Sequence, residues 1–200
     1  MFPKALESTI DALRTLPGVG ARTAERYALA LLTKEPGVSD TIATALSNLH
    51  SGVGTCQKTF VFTEPDEEIS SHYLDPKRDK QTIVVVSDPL DALAIEKTGE
   101  FKGTYHVLGG LLSPIDNITP DDLHIAQLME RIKEDSVAEL ILATNASVEG
   151  ESTAMYINRE LEETDIKISR LARGIPVGVD IEYTDQITLG RALEHRQVIR

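Results

Sequence analysis

Leu16-Pro17-Gly18-Val19-Gly20-Ala21-Arg22-Thr23-Ala24-Glu25-Arg26 reads as the end of one helix, a tight turn and the start of the next. Glycines at 18 and 20 let the backbone turn sharply and come close to a ligand, because neither carries a Cβ. The first amides of the second helix have no intrahelical partner and lie at its positive dipole end. Arg22 and Arg26 stand one turn apart on the same face. Such a turn is a cradle for phosphate, so this stretch reads as a helix-hairpin-helix that grips a nucleic-acid backbone without reading bases. Pro-Gly also marks ordinary helix-helix turns, and the rest of the chain must decide between the two.

The flanking sequence makes a small helical module of residues 1–52. Leu6, Ile10, Leu13 and Leu16 recur at helical spacing, followed by Tyr27 to Leu32 and by Ile42, Leu46 and Leu49. Pro36-Gly37 separates the last two helices, and Ser39 or Asp40 is the expected cap of the third. Residues 53–80 are polar and irregular, with a short strand expected at Phe60-Val61-Phe62; a solvated linker or small appendage is the plain reading.

From Gln81 strands and helices alternate. Ile83-Val84-Val85-Val86 has the β-branched continuity of a buried parallel strand. Further strands are expected at 104–108, 140–144 and 166–171, with helices at 89–98, 120–134 and 149–163. Together these predict a doubly wound α/β sheet in residues 81–174. A short helix at 189–193 falls in a C-terminal segment, 175–200, suited to oligomer formation.

Two hundred residues with 41% hydrophobic content can build a real core. No run approaches a membrane span, no signal peptide is legible, and Cys56 stands alone, which together point to a reducing cytoplasm. The net charge of −12 excludes a generally basic DNA-coating protein, so any nucleic-acid contact must be local or built by oligomerisation. The five histidines are scattered without metal-ligand spacing, and Gly109-Gly110 lacks the pattern of a nucleotide loop. Ligands in such sheets sit beyond the carboxyl ends of strands, where Asp88, Asp91, Glu149 and Glu151 lie. Either these carboxylates hold Mg²⁺, or Asp88 and Glu149 cap helices and complement their dipoles.

Four segments in order resemble the bacterial recombination mediator family RecR: 16–26, Asp88 to Glu96, Val107 to Asp116 and Ala143 to Ala154. Arg170 to Gly178 and Thr188 to Leu193 extend the likeness to the end of the chain. The resemblance implies a multidomain α and α/β protein: helix-hairpin-helix, a small zinc module, a Toprim (Rossmann-like) domain and a swapped C-terminal segment. It implies a non-enzymatic DNA clamp, a homodimer or ring-like homotetramer at the nucleoid. With RecO and RecF, such a clamp helps recombinase replace single-strand-binding protein on gapped DNA. Gly18, Val19, Gly20, Arg22 and Arg26 take the place of DNA-contacting residues. Asp88, Asp91, Glu149 and Glu151 take that of an acidic partner-binding face. Two other readings remain: a Mg²⁺-dependent Toprim nuclease or primase built on those four carboxylates, and a protein-binding scaffold without DNA contact.

The chain departs from the family pattern in three places. By the flanking Phe62-Thr63-Glu64 and Asp75-Pro76-Lys77-Arg78, the four zinc cysteines correspond to Cys56, Thr59, Ser70 and Tyr73. With one thiolate left, and His72 only nearby, no zinc is expected, and the segment must hold by packing or stay mobile. Ser87 stands where a strand-end glutamate is usual, weakening the acidic cluster. Asn117 and Thr119 replace glycines, which predicts a different turn after Asp116.

Overall fold

The computed structural model describes residues 2–172, 174–194, 196 and 198, in two compact units, Met1–Val53 and Gly54–Arg200. The first unit holds α1 (Lys4–Arg14), α2 (Ala21–Thr33) and α3 (Pro36–Asn48). Ile10, Ala24 and Ala28 are its buried centre, with Leu6, Leu13 and Val19 packed around them. Two alanines let α2 come close to α1, and Val19 plugs the turn into this core. Helix α1 stops at Arg14 rather than Leu16. The Thr15 hydroxyl donates to the Ala12 carbonyl (2.7 Å), and the Val19 amide donates back to Leu16 (3.1 Å). The expected cap of α3 is also corrected. Glu35 precedes the helix and Pro36 opens it, because proline's fixed φ and missing N–H suit a first position, so Ser39 and Asp40 lie inside.

The second unit begins with β1 (Gly54–Thr55) and β2 (Phe62–Thr63), an antiparallel pair, and the single-turn α4 (Ser71–Leu74). Then come β3 (Asp79–Val86), α5 (Pro89–Glu96), β4 (Gly103–Val107), α6 (Ile125–Glu134), β5 (Glu139–Leu142), α7 (Val148–Glu160), β6 (Lys167–Arg170) and α8 (Gln186–Glu194). The four later strands form one parallel sheet in the order β4-β3-β5-β6. Central β3 explains the unbroken apolar run: Ile83 and Val85 enter one core, while Val84 and Val86 enter the other. The first core is covered by α6 and α7 through Leu128, Ile132, Ile157 and Leu161. The second is covered by Ala92 and Ile95 of α5 and by Phe60 and Val61.

That second core corrects the reading of 53–80 as a solvated linker. A parallel sheet must be covered on both faces, and α5 shares this face with the 54–80 segment. The Val107 amide of edge strand β4 donates to the Thr59 carbonyl (2.9 Å), and Phe60 stacks on His124 with ring centroids 3.7 Å apart. Phe60 itself turns through φ 58°, so the strand expected at 60–62 is cut to Phe62–Thr63.

The helix expected over 120–134 is split into a 3-10 turn at Pro120–Asp122 and α6 from Ile125. At the break His124 gives its amide to the Leu108 carbonyl (2.9 Å) and its Nδ1 proton to that of Val107 (3.0 Å), stitching the end of β4. Arg131 of α6, only 2% exposed, is held on every side. Nε donates to Asp135 (3.0 Å), and the two terminal nitrogens to the Tyr105 carbonyl (2.5 Å) and Thr104 hydroxyl (2.6 Å). Below, Glu96 accepts from Arg78 and from the Tyr105 hydroxyl (2.8 Å). The Arg78 hydrogen bonds, more than any other cause, hold its carboxyl at about 2.

Candidate nucleic-acid interface

The hairpin between α1 and α2 has the geometry of an anion cradle. Gly18 sits at φ 78°, a left-handed conformation that glycine adopts without strain, and Gly20 precedes α2 in an extended conformation. Gly20 offers no side chain to cap the helix. The first amides to find a backbone acceptor are those of Thr23 and Ala24, both on the Gly20 carbonyl (3.1 and 3.0 Å). No acidic residue lies in the first turn of α2 to occupy its dipole. Gly18, Gly20, Arg22 and Arg26 are exposed while Val19 is anchored, so the glycine backbone is presented and the valine holds it in place. Arg26 rests 5.5 Å from the centre of the Tyr27 ring.

The acidic surplus is unevenly distributed along the chain. Residues 1–53 carry five basic and five acidic side chains, so the whole surplus of −12 lies beyond residue 53. The unit that carries the hairpin has no net charge of its own.

The four carboxylates Asp88, Asp91, Glu149 and Glu151 do not gather in one cluster. Asp88 caps α5 by accepting the Leu90 amide (2.8 Å), and Asp91 accepts the Ser87 hydroxyl (2.8 Å) and the Asp88 amide (3.2 Å). Ser87 thus serves as a donor in the cap, where a glutamate would have repelled Asp91. Glu149 opens α7 and lines a shallow pocket with Asp88, Asp116, Asn145, Gly109 and Gly110. Glu151, two residues on, turns to Arg170, with Arg191 of α8 at 3.9 Å. Among the described residues no three His, Cys, Asp or Glu side chains are placed to share a metal ion. Capping describes Asp88, with Asp91 completing the box, whereas the expected cap at Glu149 is corrected: the hydroxyl of Ser147 caps α7.

Sequence reasoning missed Asp116 and Arg170 as parts of this end of the sheet. Asp116 accepts the Ser113 hydroxyl (2.6 Å), and Arg170 donates to the Thr144 hydroxyl (3.2 Å) as well as to Glu151. Their signal was faint, because only the fold gives each its partners. The turn after Asp116 is built without the glycines. Asn117 takes φ 57°, since asparagine tolerates the left-handed region, and Thr119 stays extended. The loop is closed by mutual backbone bonds between Ser113 and Ile118 (3.1 and 2.9 Å).

Gly150 is the tightest point of the α7 end. A Cβ built there would lie 2.0 Å from the Asn145 carbonyl oxygen, with backbone all around it. The Ser147 hydroxyl caps the Gly150 amide (3.1 Å), and the Thr144 hydroxyl donates to its carbonyl (2.9 Å). Gly150→Ala is therefore expected to destabilise the protein by about 1–3 kcal/mol, since rigid backbone must move. Thermal unfolding checks it, and an unchanged midpoint would contradict the close approach.

Comparison with known proteins accords with this architecture. Residues 6–50 match the family model described as RecR, helix-hairpin-helix; residues 81–172 match that of the Toprim domain; residues 174–197 match that of RecR, C-terminal. These three spans do not include residues 51–80. The chain is 45% identical over 199 residues to the recombination protein RecR of Tropheryma whipplei strain TW08/27, covering all of both chains. It is 43% identical to that of Frankia casuarinae over 199 residues, all of this chain and 99% of the relative. With the RecR of Rubrobacter xylanophilus identity is 42% over 196 residues, 98% of each. Full-length likeness at this level, on top of a helix-hairpin-helix and a parallel Toprim sheet, places the chain in the RecR family of recombination proteins.

Proposed function

We propose that this protein is a non-enzymatic DNA clamp and mediator of recombinational repair, holding gapped DNA while recombinase displaces single-strand-binding protein. The observation that carries this reading is the open start of α2: exposed Gly18 and Gly20, uncapped amides, and Arg22 and Arg26 projecting from a unit of zero net charge. Contacts of this kind go to phosphates, so binding is independent of sequence and falls with salt. Closure into a homodimer or tetrameric ring would multiply a weak contact. In support, α3 buries none of its residues within the chain, and Val177, Ile181, Tyr183 and Ile187 of the C-terminal segment are exposed. The end of the sheet that bears Asp88, Asp91, Glu149 and Glu151 is the proposed docking face for RecO, with RecF as a further partner. The use of Asp88 and Asp91 in the α5 cap supports a binding role for this end over Mg²⁺-dependent chemistry.

The test is the double variant Arg22→Glu, Arg26→Glu, titrated with single- and double-stranded DNA at low salt. Affinity is expected to fall at least roughly tenfold on both, with a shallower dependence on salt. Wild-type affinity in the double variant would overturn the assignment of this face.

A further inference from the structure

The 54–80 segment brings together the four positions at which the RecR family carries zinc cysteines, and their side chains do not suit the metal. Cys56, Thr59, Ser70 and Tyr73 are all buried, at 8% exposure or less. Cys56 Sγ accepts the amides of Thr59 (3.4 Å) and Ser70 (3.2 Å), so both turns still point their N–H groups at the one sulfur. Burial opposes the thiolate, but hydrogen bonding from the two turns outweighs it and lowers the thiol's pKa. Ser70 Oγ is engaged as the cap of α4, accepting the Tyr73 amide (3.3 Å). The Tyr73 hydroxyl points out of the quartet altogether, to Asp135 (2.7 Å). One thiol, one occupied serine, one threonine and a phenol directed elsewhere are not the four thiolate, imidazole or carboxylate donors of a closed zinc site.

A structural zinc ties two turns to each other. Here the turns keep hydrogen bonds between them, from the Ser70 amide to Cys56 Sγ and from the Gln57 amide to the Glu68 carbonyl, and each turn is also tied to the α/β domain. The first, Cys56–Phe60, is fastened to edge strand β4 by the Val107 amide on the Thr59 carbonyl, and to α6 by Phe60 stacked on His124 and by Lys58 paired with Glu134. The second, Ser70–Leu74, is fastened to the end of α6 by the Tyr73 hydroxyl. Its acceptor Asp135 is in turn held by the buried Arg131. The Tyr73 ring carries two cations near its centre, Lys80 Nζ at 4.4 Å and the Arg131 guanidinium at 5.1 Å.

We propose that this chain has exchanged the metal for a side-chain cross-link. The 54–80 module folds without zinc, and the Tyr73–Asp135–Arg131 chain is the fastening that replaces it. A metal-dependent module is lost to chelators, and this one is not. The exchange also frees the module from the oxidation and metal exchange to which a four-thiolate site is open.

Three measurements on the full-length protein test this. Elemental analysis after purification without chelator should find no more than about a tenth of an equivalent of zinc, and one zinc per chain would overturn the proposal. Thermal unfolding should be the same with and without excess EDTA, and a lowered midpoint in EDTA would equally overturn it. Tyr73→Phe keeps the ring and removes the hydroxyl. In native-state hydrogen exchange the amides of Gln57, Phe60 and Tyr73 should open roughly tenfold more readily, while those of β3 stay unchanged. Unaltered exchange across the module would remove Tyr73 as its fastening, even if no metal were found.

Discussion

Arg131→Met is expected to destabilise the protein by about 3–5 kcal/mol, the cost of breaking a buried ion pair from one side. The guanidinium is nearly inaccessible and all its bonds are directed: Asp135 on its own helix, the Tyr105 carbonyl and the Thr104 hydroxyl on β4. Burial disfavours its charge and lowers its pKa, against the hydrogen bond it donates to Asp135, which raises it. Methionine fills much of the volume, so packing alone loses little. The loss comes from what is stranded: a carboxylate with a 7% exposed side chain, a carbonyl and a hydroxyl. Urea unfolding measures it, and a loss below about 1 kcal/mol would show that the pair is solvated in a way its burial denies. Adding Asp135→Asn removes the orphaned charge while keeping an acceptor for the Tyr73 hydroxyl. The double variant should regain part of the loss, because replacing both members of a buried pair costs less than breaking it.

Acid should weaken the fold well above the range in which carboxylates titrate, through His106. This ring is fully buried in β4, donates Nε2–H to the His124 carbonyl (2.8 Å), and leaves Nδ1 without a partner among the described residues. Burial, more than any other cause, depresses its pKa from 6.5 to about 3, with Arg131 and His124 adding repulsion. Its folded pKa lies below the unfolded one, so between these values the unfolded chain binds a proton that the folded chain refuses. Stability from this group is therefore complete above pH 6.5 and lost as pH falls towards 3. The slope is about 1.4 kcal/mol per pH unit once the unfolded histidine is charged. Urea midpoints between roughly pH 7 and pH 5 should decline in the wild type and flatten in His106→Gln, which retains a donor for the carbonyl. Equal slopes in the two proteins would mean that His106 is protonated in the fold. Both effects meet on β4, the strand to which α6 and the 54–80 module are fastened.

Much of the architecture was legible because periodicity reports burial. Leu6, Ile10 and Leu13 mark one face of α1 at helical spacing, and Ile83 to Val86 mark a strand with core on both sides. The hairpin was legible for a different reason. Gly18 and Gly20 meet local backbone needs that neighbours in sequence supply, and the likeness to RecR relatives of 42–45% identity gave them context. Element ends were less legible. The helix expected from Pro120 breaks at His124 because that residue's amide and ring are wanted by β4, a partner remote in sequence. Carboxylates were the weakest point: Asp88, Asp91, Glu149 and Glu151 look alike in sequence, yet two cap α5, one lines a pocket and one meets Arg170.

The opening residues 16–26 settle by themselves that two helices meet at a glycine turn, since helix termini and φ preferences are local physics. The loss of three cysteines likewise excludes a four-thiolate site without any coordinates. How residues 54–80 hold together was decided only by tertiary structure. Tyr73 and Asp135 are far apart in the chain and neither is unusual in composition. Their bond exists because the end of α6 and this module are both fastened to edge strand β4, where an unpaired polar group would be costly.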